Sequence, residues 1–488
     1  MSSDFLPSLL SNIWAIFLVI IFFGGSIFVH ELGHFLAARR RGVHVERFSI
    51  GFGPAIWAWR GKDGVEYRLS WIPLGGYVLL PQLADLGPVE GEVKSDVAKM
   101  PPVGYATKMI VFVAGATFNI IFAFLLACVV SVIGQPTFAE LETTKVGAIS
   151  ETIKLPDGTT APNPAIEAGL QPGDIILSID GRKVTNFEEI ATGIFLGKKL
   201  TDDGRRVSTV VVQRGTEEKT FTVYPRLVGN ENARSIGIEP AEDLTVDAVL
   251  EGSPAAAAGV KANDRIVAVD DVPMHQRAAV SEHIGQHSTR PVVFSLERGT
   301  ELVKIPIQPR FEIDERTKRQ VARVGVRYRD PIVIIHPNPF HQIGNNVAGT
   351  FRLLDALISP SSDIRPSQLS GPVGIVRELH RQAQWDFRRV LWFAILLNVS
   401  LAIFNLLPIP VLDGGQMLFA TIARLRGKPL PVNFILTSQS VFMVLILGMV
   451  LYVTVAGDLR RWMQESRTIQ AEAPAAAAPL APTPAPAK

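Results

Sequence analysis

The chain has little cysteine and almost no net charge, and these two shortages exclude certain classes of protein. Its 488 residues include a single cysteine, Cys128, so no internal disulfide can form and the fold relies on no disulfide framework. Lysine and arginine number 48 against 46 aspartates and glutamates, which leaves a net charge of +2. Since proteins that bind nucleic acids carry a strong basic excess, we expect no nucleic-acid partner.

The N-terminus also lacks the marks of a removed signal peptide. No basic stretch precedes the first apolar run and no small-residue cleavage site follows it, so we interpret this run as a retained membrane helix. Hydrophobic residues make up 47% of the chain. Four stretches are long and apolar enough to span a lipid bilayer: Ile13 to Ala38, Met109 to Ile133, Val390 to Leu407 and Phe434 to Ala456.

The first of these stretches contains the ionisable residues His30, Glu31 and His34 in an otherwise apolar run. Charged groups at membrane depth are costly and indicate a functional site. On a helix, His30 and His34 lie on one face, where two imidazoles can bind one metal ion, and Glu31 can accept a proton from water that the metal activates. The alternative, two structural core histidines, gives no reason for a buried carboxylate at Glu31, which costs several kcal/mol unless it is protonated, paired or catalytic.

A catalytic zinc ion usually has three protein ligands, so a third donor should exist at membrane depth. The third apolar stretch runs into a segment with two prolines, which must break the helix, followed by Asp413, Gly414 and Gly415. Irregular backbone at that depth is tolerated where it is buried in protein or lines a cavity. We therefore predict Asp413 as the third zinc ligand. The alternative interpretation makes Asp413 the cap of a helix-ending turn.

Between the first two spans, Arg47 to Leu80 has the pattern of short strands and ends in the run from Pro73 to Val78. Such a hairpin can offer a strand edge to an extended peptide. In that case Gly75, Gly76 and Tyr77 are substrate-binding residues. The equally simple alternative is a plain cytoplasmic hairpin.

Two asparagines lie inside the apolar stretches. Asn405 directly precedes the helix break, where its amide can hydrogen-bond an extended substrate backbone or the metal site. Asn119 is more simply interpreted as a residue that holds the second span against the first, because polar residues in membranes often join helices. Of the two, only Asn405 is predicted to bind substrate.

Basic residues set the predicted orientation. Arg39, Arg40 and Arg41 close the first span, Lys108 opens the second, and three more basic residues separate the third span from the fourth. Because cytoplasmic loops carry an excess of such residues, we predict that these loops are cytoplasmic and that both termini and the large middle region lie outside. Four arginines oppose this assignment: Arg388, Arg389, Arg460 and Arg461.

The middle region contains an internal repeat with an offset of about ninety residues, the size of a small domain. Asn163 to Gly181 is echoed by Ser253 to Asp270, with proline, glycine and both aspartates at the same spacing. Each copy is predicted to form a short helix, a glycine turn and an alternating strand. This pattern resembles bacterial PDZ domains, which bind peptide ends by strand addition, and predicts two substrate filters or sensors. Alternatively, one or both copies are spacers with blocked grooves.

These features predict a polytopic α-helical membrane protein with four transmembrane helices and two PDZ-like α/β domains inserted between spans 2 and 3. The predicted parts are a membrane domain (1–136), two PDZ-like domains (137–230 and 231–312), a linker with amphipathic helices (313–389) and a second membrane domain (390–466). The alanine- and proline-rich residues 467–488 are predicted to be disordered.

Four features together resemble the site-2 protease family of intramembrane zinc metalloproteases: the His-Glu-Leu-Gly-His motif at 30–34, the run from Pro73 to Tyr77, the PDZ-like repeat, and Asn405 to Gly415. The resemblance covers nearly the whole chain apart from the tail. It implies that Zn²⁺ is bound by His30, His34 and Asp413, and that Glu31 is the catalytic base.

The resemblance further implies a bacterial inner-membrane protein with periplasmic PDZ modules, while the basic loops place the active site toward the cytoplasmic side. Expected substrates are single-span membrane proteins, such as an anti-sigma factor already trimmed outside, and remnant signal peptides. Two positions depart from the family pattern. Gly115-Ala116 stands where members often have Gly-Pro, and Gln416 stands where many have histidine. Neither position is a predicted ligand.

Two other functions fit parts of the pattern. One is a membrane scaffold in which PDZ modules recruit partners and zinc is structural. Glu31 speaks against it, because a structural site usually closes with four protein ligands and needs no water-activating carboxylate. The other is a protease that cuts peptides at the membrane surface. The depth of Asp413 in the third apolar stretch speaks against that interpretation.

Overall fold

The computed structural model describes residues 5–83, 100–229, 233–313 and 320–463. The chain divides into two compact units, one built from 1–135, 336–351 and 364–488, and the other from 136–335 and 352–363. The predicted disordered tail, 467–488, lies outside the described residues.

The helices fall at both ends of the chain and, as shorter elements, in its middle. The α-helices of the described residues are α1 (Phe5–Arg40), α2 (Tyr105–Ile133), α3 (Pro164–Ala168), α4 (Phe187–Phe195), α5 (Pro254–Ala258), α6 (Arg277–Gln286), α7 (Pro339–Ile358), α8 (Pro372–Trp385), α9 (Phe387–Asn405), α10 (Asp413–Arg426) and α11 (Val432–Tyr452). Helix α11 continues as a π-helical segment, Val453–Leu459.

The strands begin with a long pair, β1 (Arg47–Arg60) and β2 (Glu66–Leu79). The others are short and belong to the middle region: β3 (Gln135–Phe138), β4 (Val146–Ile149), β5 (Thr152–Lys154), β6 (Thr160–Pro162), β7 (Ile175–Ile179), β8 (Arg182–Lys183), β9 (Ser208–Arg214), β10 (Glu217–Val223), β11 (Arg226–Val228), β12 (Ala233–Ser235), β13 (Ile238–Pro240), β14 (Val246–Val249), β15 (Arg265–Val269), β16 (Val272–Pro273), β17 (Val292–Arg298), β18 (Glu301–Ile307), β19 (Arg310–Ile313), β20 (Gln320–Arg323), β21 (Val326–Tyr328) and β22 (Ile332–Ile335).

Among the described residues, four helical stretches are long and apolar enough to cross a membrane: Ile16–Arg40, Tyr105–Ile133, Phe387–Asn405 and Val432–Met463. Each overlaps one stretch predicted from the sequence. Helix α9 begins three residues earlier than expected, because the Asp386 carboxylate accepts a hydrogen bond from the Arg388 backbone N–H (2.8 Å) and caps the helix. It ends at Asn405, before Pro408 and Pro410.

The helices of the first unit are joined by close packing and by buried polar contacts. Helices α1, α8 and α9 share a buried apolar cluster: Leu18, Val19, Leu379, Ala383, Val390 and Phe393. The Asn398 amide of α9 donates a hydrogen bond to Ser26 Oγ of α1 at 2.8 Å. Lipid supplies no hydrophobic drive for helices to associate, so close packing and bonds of this kind hold them together.

Strands β1 and β2 are 14 residues each, longer than the short strands expected from the sequence. Gly51 and Gly53 have positive φ angles (86° and 85°), which let β1 bend and continue instead of ending. Phe48 pairs with Tyr67 and also with Val78. The residues around Val78 therefore return along the opposite edge of β1.

The internal repeat forms the same local structure twice in the second unit. In each copy the short helix, α3 or α5, ends at a left-handed glycine, Gly169 (φ 88°) or Gly259 (φ 86°). An alternating strand, β7 or β15, follows. The sheets have matching strand orders, β8-β7-β9-β10 and β16-β15-β17-β18. The predicted helix, turn and strand are confirmed in both copies.

The first repeated aspartate of each copy forms a buried ion pair. Arg214 donates two hydrogen bonds to Asp174, both 2.7 Å, and Arg298 donates two to Asp264, 2.8 and 2.7 Å. Both aspartates are 1% exposed. The hydrogen bonds from Arg298 hold the pKa of Asp264 below its ordinary value. The requirement to pair this carboxylate explains why it recurs at the same spacing.

Each copy has its own apolar core. One core runs from Val146 to Ile236 and the other from Leu244 to Val324. Strand β13 pairs with β4, and β21 pairs with β14. The strand pairing therefore attaches β13 to the first core, although the predicted boundary assigned it to the second module. A closing strand of three residues, with a partner far earlier in the chain, leaves no local pattern that a sequence can reveal. The boundary itself, residues 230 and 231, lies outside the described residues.

A buried carboxylate joins the end of the last span to the start of α8. Asp458, in the π-helical segment, accepts hydrogen bonds from the backbone N–H groups of Gly371 (3.2 Å) and Gly374 (2.8 Å). Arg461 contacts the same carboxylate at 2.9 Å and also donates to the Leu369 carbonyl at 2.8 Å. The Asp458 side chain is 0% exposed. This single group thus satisfies two helix N-terminal amides and one arginine.

We expect Asp458→Ala to lower the free energy of unfolding by about 3–5 kcal/mol, because it leaves two backbone amides without their acceptor and removes the carboxylate that pairs with the partly buried Arg461. Thermal unfolding of the detergent-purified protein measures the change. The control is Asp203→Ala, which removes an exposed partner of Arg205 and should change the stability far less, because exposed ion pairs contribute little. Equal stability of the two variants would contradict a structural role for the Asp458 carboxylate.

Candidate metal centre

Helix α1 carries the predicted motif on the side that faces the rest of the first unit. His30 and His34 are one turn apart, and each is 8% exposed. Their Nε2 atoms lie 3.1 Å from each other, and the rings are nearly perpendicular at 81°. The i, i+4 spacing of the motif therefore directs both ring nitrogens toward one point.

Asp413 reaches the same point from the start of α10. Two glycines make this possible, because a Cβ on Gly414 would collide with the Leu406 and Leu407 carbonyls and one on Gly415 with the Ile409 carbonyl. The first turn of α10 can therefore pack directly on the proline turn that ends α9. Asp413 Oδ2 lies 3.2 Å from His30 Nε2 and 3.3 Å from His34 Nε2.

The charges and lone pairs of these three side chains suit a bound cation. His34 Nδ1 lies 2.8 Å from the Val111 carbonyl, which can only accept a hydrogen bond, so in the neutral imidazole the proton is on Nδ1 and the lone pair is on Nε2. That lone pair faces the Asp413 carboxylate and His30 Nε2, and acceptors at such distances repel unless a cation lies between them. Tetrahedral zinc ligands at 2.0–2.1 Å from the ion are about 3.3 Å apart. The residues fit zinc.

Helix α2 closes the site from a third side. A Cβ on Gly115 would lie 2.6 Å from His30 Cε1 and 2.8 Å from His30 Nε2, and would also collide with His34 Nε2. Only glycine allows the backbone of α2 to approach the imidazoles this closely. Gly115 and the Val111 carbonyl were both missed as site residues. A glycine inside a span gave a weak signal for the first, and a backbone carbonyl gives none.

A cavity of about 290 Å³ opens beside the three side chains. Glu31 lines it, and a Cβ on Gly76 would lie 3.3 Å from Glu31 Cγ, so strand β2 passes next to the predicted base. The Asn405 amide nitrogen is 3.5 Å from His30 Nε2. The cavity brings together the following predicted site residues: His30, Glu31, His34, Asp413, Asn405, Gly76 and Tyr77.

Two residues that the sequence singled out lie elsewhere. Gly75 is outside the cavity lining and sits against the ring of Phe52, which itself lines the cavity. Asn119 is 0% exposed, inside the helix packing. Gln416 is a further lining residue that was not predicted. Its amide donates to the Pro410 carbonyl at 3.2 Å and so helps to hold the turn before Asp413.

Known proteins match this chain over most of its length. The profile of Peptidase family M50 matches residues 18–449. The regulator of sigma-E protease RseP of Escherichia coli (strain K12) is 31% identical over 471 residues, which cover 91% of this chain and 99% of that protein. The protein of that name from Salmonella typhimurium (strain 14028s / SGSC 2262) is also 31% identical, over 472 residues, with the same shares. Protease RseP of Yersinia pestis is 28% identical over 473 residues, again with 91% and 99% covered.

Apolar helices that are long enough to cross a membrane, combined with this family match, define a multi-pass membrane protein and an intramembrane zinc metalloprotease. The chain belongs to peptidase family M50, the site-2 protease family, whose members depend on zinc.

Proposed function

We propose that this enzyme hydrolyses peptide bonds of single-span membrane proteins within the membrane, with His30, His34 and Asp413 as zinc ligands and Glu31 as catalytic base. One observation carries the proposal. Three ligating atoms lie within 3.3 Å of one another, and a carboxylate lines the same cavity. The two histidines are only 8% exposed, and buried ionisable groups at membrane depth indicate a functional site.

The side chains have separate roles in this reaction. Zinc, when bound, supplies Lewis acidity, which polarises the scissile carbonyl and acidifies water. Glu31 accepts the proton of the attacking water and passes it to the leaving amine nitrogen. The Val111 carbonyl accepts the Nδ1 proton of His34 and so keeps its Nε2 free to bind a cation.

A substrate helix must unwind before cleavage, because its amides are shielded by their own hydrogen bonds. Within the described sheet, residues 76–79 of β2 pair with β1 along one edge and have no strand partner along the other, and Gly76 lies beside Glu31. An extended substrate segment can add to the other edge of this strand next to the base. Tyr77 belongs to this edge and Gly75 directly precedes it. Asn405, which lines the same cavity, then holds the substrate backbone.

If Asn405 holds the substrate, Asn405→Ala should raise KM about 5- to 20-fold, the loss of one or two hydrogen bonds, with little change in zinc content. Initial rates against a purified single-span substrate measure this. The control is Ser400→Ala, which removes a polar side chain from the same helix outside the cavity lining. A variant that loses zinc instead would identify Asn405 as part of the metal site.

For the physiological substrates, we infer an anti-sigma factor already trimmed outside the membrane, and remnant signal peptides. The relatives that carry the name regulator of sigma-E protease support the first class. A trimmed single-span protein and a signal peptide share the chemistry that matters here, since both are isolated apolar helices with little polar mass.

We further propose that the two repeated structures of the second unit are PDZ-like modules that bind peptide ends. In the second copy, a cavity of about 540 Å³ lies between α6 and the turn at Val324, Gly325 and Val326. Its wall combines apolar side chains with a glycine at φ 84°, a shape that suits the end of an extended peptide. Titration with C-terminal peptides of the substrate separates a binding groove from a spacer.

For the orientation, we propose that the active site lies toward the cytoplasm and that both termini and the PDZ-like modules are periplasmic. The three arginines at 39–41 support this, and His34 is only five residues from Arg39, about 8 Å along the helix. In a Cys128→Ser background, an impermeant maleimide added to intact spheroplasts should label Asp203→Cys and spare Pro429→Cys. The reverse pattern would invert the topology.

We expect Glu31→Gln to abolish cleavage of a tagged single-span substrate, by about 10²- to 10⁴-fold, while the protein keeps its zinc. Asp413→Ala should lose both cleavage and zinc. Purified wild type and both variants are compared for product formation and for bound metal, and mass spectrometry locates the cut.

Three outcomes contradict parts of the proposal. Cleavage that survives in Glu31→Gln excludes Glu31 as the base. A cut outside the apolar segment favours a protease of membrane-surface peptides. Stoichiometric zinc without cleavage of any single-span substrate by the wild type favours a scaffold with structural zinc.

A further inference from the structure

One residue of the candidate metal centre and two buried asparagines near it share an unusual property. Among the described residues, no hydrogen-bond partner is found for His30 Nδ1, for either polar atom of the Asn119 amide, or for Asn398 Oδ1. Asn119 and Asn398 are 0% exposed and His30 is 8% exposed. Each unsatisfied polar atom at such a site costs about 1–3 kcal/mol, so a shared partner is expected.

The helix packing places these residues at similar positions along the helix axes. Helices α1 and α2 run antiparallel, with His34 against the Val111 carbonyl and His30 against Gly115. Asn119 follows Gly115 by one helical turn, about 6 Å. Helical side chains lean toward the N-terminus of their own helix, so Asn119 leans back toward Gly115 while His30 leans toward Ser26. The two side chains therefore converge.

Asn398, on α9, lies at a similar position along the helix axes, next to Ser26 of α1. Its amide nitrogen donates to Ser26 Oγ at 2.8 Å and to the Ala394 carbonyl at 2.8 Å, which commits both of its protons and fixes the amide. The remaining atom, Oδ1, can only accept. Ser26 precedes His30 by one turn on α1, so this acceptor lies on the side toward which the His30 ring leans.

A zinc-bound His30 needs a hydrogen-bond acceptor for its second ring nitrogen, Nδ1. A zinc-binding histidine nearly always donates its second ring N–H to a carboxylate, a carbonyl or a water, and this bond sets the tautomer. His34 has such a partner in the Val111 carbonyl at 2.8 Å. His30 Nδ1 has none among the described residues, although the proposed zinc contact requires its proton to be on Nδ1 and not on Nε2.

We propose that Asn119 is a positioning residue for His30, acting through one buried water molecule. The water accepts the His30 Nδ1 proton and donates to Asn398 Oδ1 and to the Asn119 amide oxygen. Three hydrogen bonds are typical for a buried water. The proposal rests on His30 as a zinc ligand, and it gives Asn119 a role other than joining helices.

The alternative role of Asn119, to join the second span to the first by a hydrogen bond, has no contact to support it. Polar residues that join membrane helices do so through a direct bond to the neighbouring helix. Thr117 of the same helix shows the ordinary case of a satisfied polar group, since its hydroxyl donates to the Val113 carbonyl at 2.9 Å. No such partner is found for Asn119 in the described part of the chain.

The test measures zinc affinity, by competition with a chromophoric chelator, on the full-length protein in detergent. Asn119→Leu keeps the volume and removes both hydrogen-bonding atoms, so we expect zinc affinity to fall about 10- to 100-fold. Asn119→Ser keeps a hydroxyl that the water can reach, so its affinity should stay within a few-fold of wild type. Thr117→Val, an exchange of a polar residue on the same helix, is the control and should change nothing.

A second measurement distinguishes a positioning role of Asn119 from a role in folding alone. In the cobalt-substituted protein, visible absorption reports the ligand geometry, and Asn119→Leu should shift it while Asn119→Ser should not. If Asn119→Leu does not fold, Asn119→Ala replaces it with the same expectation, because it removes both polar atoms without adding bulk.

Unchanged zinc affinity in Asn119→Leu, or equal losses in the leucine and serine variants, would overturn the proposal. His30→Ala is measured in parallel. If it binds zinc as tightly as wild type, the proposed metal site itself is wrong. If it loses zinc while the Asn119 variants do not, only the role of Asn119 fails.

Discussion

The organisation of the first unit depends on the cost of polar groups at membrane depth. His30, His34 and Asp413 are brought within 3.3 Å of one another by two helices and a proline turn. Acceptor atoms this close repel one another unless a metal ion or a proton lies between them. The close approach of α2 at Gly115, the glycine pair after Asp413 and the break of α9 all serve to bring these atoms together.

The same requirement recurs at three other buried carboxylates. Asp458 satisfies two backbone amides and one arginine at the end of the last span. Asp174 and Asp264, in the two repeated structures, are paired in the same manner with Arg214 and Arg298. These carboxylates hold loops and helix starts in place, and they differ from the metal centre in having an arginine as partner.

The strand edge beside Glu31 connects the binding of an extended substrate segment with the proposed site of cleavage. β-Strand addition can extend a substrate only where backbone groups of an edge strand are unpaired, and residues 76–79 provide such an edge within the described sheet. The Glu31 side chain and this edge are neighbours, since Gly76 has no side chain to separate them. A helical substrate that does not unwind cannot use this geometry. The architecture thereby supports selection of helices that unfold easily.

Much of this protein could be predicted from its sequence. The apolar runs, the His-Glu-x-x-His spacing, the proline-broken Asp413 segment and the repeated glycine and aspartate positions are local patterns, and each depends on bonds or periodicity within a few residues. The tertiary structure decided what depends on distant partners. It attached β13 to the first core, placed Val111 and Gly115 around the histidines, and left Gly75 outside the cavity. A backbone carbonyl, a close helix approach and a three-residue closing strand carry no signature of their own, because their roles exist only once another part of the chain lies against them.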